Sequence, residues 1–79
     1  HVIEAWIYSP TDFNRSQQEE VMSINLSKHG VGFDTQHVIP TGSFWMIEIG
    51  MGEQRMIAEM RIISCRQVDD RFEVGAEFC

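Results

Sequence analysis

Two polar residues and a glycine at close spacing are the first candidates for chemistry. Asn25 and Ser27 stand two apart in a run of strand character, and Gly30 follows at the next turn. Residues two apart on a strand project from the same face, so Asn25 and Ser27 are expected side by side on the outer, non-core face. The Asn25 amide carries an acceptor and a donor that suit the edge of a nucleic base, and the Ser27 hydroxyl can rotate to donate or accept beside it. Gly30 lets the backbone turn sharply and leaves room for a ligand. The same residue types also make ordinary turns, in which Asn and Ser bond to local backbone. Arg66, near the end of the fifth strand-like run, is a fourth candidate that could supply a charge, with a solvated strand-end cation as its plainer reading.

Other reactive residues form no convincing constellation. Cys65 with His29 or His37 lacks a third, orienting group, so nucleophilic catalysis has no triad to rest on. Glu19-Glu20 and Asp69-Asp70 are sequence neighbours, which point apart on a strand and make poor acid/base pairs. Cys65 and Cys79 form no disulfide framework, and His1, His29 and His37 show no zinc-ligand spacing. No metal, cofactor or enzyme activity is expected. Six basic residues against twelve acidic ones, for a formal charge of −6, argue against a DNA or RNA polymer as partner. A small ligand with two phosphates needs only a few placed arginines. No apolar run approaches the roughly 20 residues of a membrane helix, so no membrane insertion is expected.

The elements that must position these residues read as strands. Phe72, Val74, Ala76 and Phe78 alternate with Arg71, Glu73, Gly75 and Glu77, and Met56, Ala58 and Met60 alternate with Arg55, Glu59 and Arg61, with Ile57 breaking the outward set. Such alternation marks strands with one wet and one buried face. Val2 to Tyr8, Val21 to Ser27, Val31 to Thr35 and Phe44 to Ile49 complete a set of six. Met22, Ile24 and Leu26 are assigned inward, as are Val31 and Phe33. Phe44 to Ile49 is apolar enough to be covered on both sides. Trp6, Tyr8 and Trp45 are read as core or barrel-end packing. Ser16-Gln17-Gln18-Glu19 fits a capping box, which makes a short helix the alternative there, although Ile24, Asn25 and Ser27 are poor helix formers. Turn residues separate the runs at Ser9–Asp12, Lys28–Gly30, Ile39–Gly42, Gly50–Gly52 and Val68–Asp70. Six short strands in 79 residues predict a single all-β domain whose sheet closes into a small barrel.

Asn25-Leu26-Ser27-Lys28-His29-Gly30 fits the (D/N)xSxxG signature of PilZ domains. Val31-Gly32-Phe33 resembles the strand after that signature, Ile39-Pro40-Thr41-Gly42 the turn before the next strand, and Val74-Gly75-Ala76-Glu77-Phe78 the closing G-x-x-F strand. The resemblance covers nearly the whole chain. It implies a six-stranded antiparallel barrel of split-barrel type and a bacterial, cytoplasmic regulatory module that binds cyclic di-GMP. The ligand would dock on the outer face at Asn25, Ser27 and Gly30, and the module would signal to an attached or partner protein domain. The family's second half-site is an RxxxR motif before the first strand. Here the first strand is read from about Val2, and His1 rather than Met opens the chain, so residues 1–79 are expected to be a piece whose arginine segment lies upstream. Arg15-Ser16-Gln17-Gln18-Glu19 has Glu in place of the second Arg and follows the first strand. The family's aromatic near the end of the fifth strand is replaced by Ile63-Ser64-Cys65-Arg66. A degenerate PilZ-like module that binds protein and no nucleotide is the alternative. An unrelated OB-like barrel would need a basic, aromatic-studded face, which the acidic balance opposes.

Overall fold

A computed structural model describes residues 3–79; the expected strand start at Val2 lies outside them. The strands are β1 Ile3–Tyr8, β2 Glu19–Leu26, β3 Gly30–Thr35, β4 Phe44–Met51, β5 Gln54–Val68 and β6 Arg71–Phe78. All pair antiparallel, in the ring order β1-β2-β3-β6-β5-β4, which closes into a barrel. Closure gives every described strand a neighbour on both sides, so no strand is left as a free sheet edge among the described residues. No described helix is long and apolar enough to cross a membrane.

Alternation fills the interior. Ala5 and Ile7 of β1, Val31 and Phe33 of β3, Ile47 and Ile49 of β4, Met60 and Ile62 of β5, and Val74 and Ala76 of β6 meet in one core. Ile7, Ile47, Ile49, Met60 and Ile62 are fully buried, and each such side chain stabilises the fold by about 1.5–3 kcal/mol. Thr35, the buried polar residue, donates its hydroxyl to the His37 carbonyl at 2.6 Å, so its burial leaves no donor unmade.

Two strands break their alternation. In β2, Met22 pairs with Asp34 but Asn25 pairs with Gly32, so one extra residue sits in β2. Ser23 takes a positive φ of 56° there. Bulges of this kind re-aim the residues that follow. Met22, assigned inward from the sequence, is therefore exposed, Ile24 turns to the core, and Leu26 is largely exposed at the barrel end. In β5, Ile62 pairs with Ala76 and Ser64 with Gly75, which leaves Ile63 as the extra residue.

Two further expectations change, and the helix alternative drops out. Trp6 and Tyr8 face outward, because Ala5 and Ile7 between and beside them take the core positions. Trp45 does pack against the core, with its Nε1 donating to the Ser43 hydroxyl at 2.9 Å. In β4 the buried set is Ile47 and Ile49, while Phe44 lies exposed on the other face, so the strand is not covered throughout. The capping-box stretch forms no helix: Asp12 accepts from the Ser16 and Gln17 backbone amides and the Ser16 hydroxyl, and the loop feeds directly into β2. Those hydrogen bonds, led by that from Gln17, hold the Asp12 carboxyl below its ordinary range.

Candidate functional site

Strand register builds a shallow trough on the outside of the barrel. Asn25 of β2 lies opposite Gly32 of β3, Gly32 opposite Gly75 of β6, and Gly75 opposite Ser64 of β5. One row across four strands thus reads Asn25, Gly32, Gly75, Ser64, all facing outward. The two glycines leave a floor of bare peptide groups, and Asn25 and Ser64 stand as its walls. The resulting hollow of about 380 Å³ is also lined by Ser27, Gly30 and Ile63, a size within the range of small-molecule sites. Both bulges are needed for it. The one at Ser23 fixes which β2 residue opposes Gly32, and the one at Ile63 brings Ser64 outward.

The structure brings together three of the four sequence candidates. Asn25, Ser27 and Gly30 line this one hollow. Among the described residues, the Asn25 amide and the Ser64 hydroxyl have no hydrogen-bond partner in the protein, so both can bond to a molecule in the trough. Ser27 is committed differently. Its hydroxyl accepts from the Gly30 amide and donates to the Gly30 carbonyl, each at 3.2 Å, and its own amide bonds that carbonyl at 2.9 Å. Ser27 therefore shapes the turn at the trough's end, the local role that Ser in such a position often takes. Gly30 is fixed by close packing, since a Cβ there would run into the Ala76 carbonyl oxygen.

Arg66 lies beside this hollow, in an adjoining one that shares Ser64 and Gly75, and it is ion-paired with Glu73. The sequence reading missed Ser64, Ile63 and the paired glycines. An isolated glycine within a strand pattern signals close approach of a ligand or backbone, and both Gly32 and Gly75 carried that signal. The Ile62-Ile63 doublet, which interrupts the alternation of β5, was the mark of the bulge.

On the opposite side of the ring, β1 and β4 carry a second polar cluster. Trp6 pairs across the strands with Glu48. Glu48 binds Arg15 through one carboxylate oxygen and Arg55 through the other, the latter at 3.0 Å. Arg15 lies over the Tyr8 ring at 4.2 Å from its centroid and Arg55 over Trp6 at 5.9 Å. Arg55 can lie flat because Gly50 beneath it has no side chain; a Cβ there would come within 2.7 Å of the guanidinium. The hydrogen bond from Arg15, aided by the charge of both arginines, holds the Glu48 carboxyl below its usual range. The cluster pins the loop between β1 and β2 to the barrel.

The chain matches no protein-family model and no curated protein.

Proposed function

We propose that the trough is a docking site for cyclic di-GMP and that the chain is a ligand-sensing regulatory module of a bacterial cytoplasmic protein. The observation that carries this reading is the row Asn25–Gly32–Gly75–Ser64. An unpartnered amide and an unpartnered hydroxyl flank a glycine-floored strip of peptide groups, the hydroxyl leaning over Gly75. A planar base can stack over the open Gly32 peptide, with the Asn25 amide on one side and the Ser64 hydroxyl, which leans over Gly75, on the other as donors and acceptors for its edge. The NxSxxG residues of the PilZ signature stand at this strip and the turn that ends it, which is where the resemblance would place a guanine. The site makes and breaks no bond in this reading. Its output is mechanical: a bound ligand orders neighbouring chain and changes how the barrel meets an attached or partner domain.

Isothermal titration of cyclic di-GMP into the full parent protein tests this. Binding is expected, and Asn25→Ala is expected to weaken it by about tenfold, the worth of roughly one hydrogen bond left unmade. A parent protein that shows no heat with cyclic di-GMP would sink the reading. A second reading, a protein-docking module without a nucleotide, is favoured by the apolar hollow beside exposed Ile3 and Met51 on the far wall, and it gains if titration is silent.

A further inference from the structure

The reading of the trough as a cyclic dinucleotide site is the premise here. Such a ligand brings two phosphodiesters, and the trough's floor and walls carry no charge. The rim formed by β5 does. Before Ile63, β5 points Arg61 outward; after it, Ser64 and Arg66 point outward. Without the extra residue, Arg61 and Arg66 would face opposite sides of the sheet. The bulge places them on one face, with Ser64 between.

Each arginine lies across from a glutamate of β6. Arg61 Nη1 is 3.6 Å from Glu77 Oε1, and Arg66 is paired with Glu73. Glu73 and Glu77 are about 13 Å apart along the strand, with Gly75 midway, so the two guanidiniums flank the floor from either end. Both side chains are well exposed, at 47% and 76%. Exposed ion pairs contribute little to stability, so a guanidinium can leave its glutamate for a phosphate at small cost. The guanidinium fork matches phosphate geometry with two parallel hydrogen bonds. Lys28, on the turn beside Ser27, makes no ion pair among the described residues and adds a third cation at the trough's end.

We infer that Arg61 and Arg66 are the phosphate-gripping pair of this site. They are carried by the barrel itself on β5, and they take the two phosphodiesters of a cyclic dinucleotide laid over Gly32 and Gly75. Glu73 and Glu77 then act as resident competitors that hold the arginines in place until a ligand arrives.

The test is titration of the full parent protein with cyclic di-GMP at low and high salt, with thermal melting to verify folding of every variant. Arg61→Ala and Arg66→Ala are each expected to weaken binding by about tenfold or more, since hydrogen bonds to charged groups are the strong ones, and to flatten its salt dependence. Glu77→Gln is expected to tighten binding by removing the competitor of Arg61. If both arginine variants bind as the native protein does while Asn25→Ala loses affinity, this inference falls and the trough reading stands. If the native protein does not bind, or binds with no change in any of these variants, both fall.

Discussion

The two walls of the barrel spend their polar groups in opposite ways. On the β1/β4 wall, Glu48, Arg15, Arg55, Trp6 and Tyr8 satisfy one another and bind a loop to the sheet. On the β3/β6 wall, across the ring, two glycines replace side chains, and Asn25 and Ser64 keep their hydrogen-bonding capacity free. A cluster that is internally complete adds to stability and has little left for a visitor. A row whose side chains lack partners adds little beyond its backbone pairing and leaves those groups open to a ligand. The difference separates the part of the surface that holds the molecule together from the part that is available for recognition.

Substitutions should break or sharpen this division. The largest effect is expected at Gly30, the one trough residue whose role is packing. Gly30→Val should destabilise the fold by about 3 kcal/mol or more, because the new side chain meets main chain that cannot yield; urea unfolding measures it, and a near-native midpoint would show that β3 and β6 can separate. Next comes the opposite wall. Glu48→Gln should lower stability at neutral pH by about 1–2 kcal/mol, between the values for exposed and buried pairs. Its pH dependence follows from the lowered Glu48 value. The folded state binds the proton less readily than the unfolded chain does. The pair's contribution is therefore complete above the ordinary carboxylate range and lost as the pH falls through the lowered folded value. Native and variant unfolding curves should converge on acidification, and a gap that persists there would remove the ion pairs as the cause. The smallest effect is expected at Asn25. Asn25→Ala should change stability by no more than about 0.5 kcal/mol, as for most exposed positions. A larger loss in the same unfolding assay would mean that the trough wall also holds the fold.

Much of the fold could be read from the chain. The alternation of β6 and of β5 up to Met60 fixed which residues face inward, and the turn residues divided the strands. The bulges could not be read in the same way. Ser23 looks like an ordinary member of its run, and the Ile62-Ile63 doublet shows only that alternation breaks; where the extra residue sits is set by the partner strands that must stay in register as the sheet closes. Met22 was misplaced for that reason, and Ser64 was overlooked. Trp6 and Tyr8 misled because large aromatics usually go inside; here the neighbouring small Ala5 and branched Ile7 fill the narrow interior, and the rings serve as outer platforms for arginines. The polar shelf itself was legible in part. Asn25 and Gly30 were placed correctly on it, but only the register across four strands reveals that the shelf's second wall is Ser64 and not Ser27.

The ring order has a consequence for the timing of assembly. Gly32 arrives early in synthesis and Gly75 late, and β6 is the strand that joins β3 to β5. Until β6 inserts, the cylinder stays open and the trough lacks its centre. A growing chain on the ribosome would thus have no complete trough, and, on the proposed reading, ligand binding would report that β6 had joined β3 to β5.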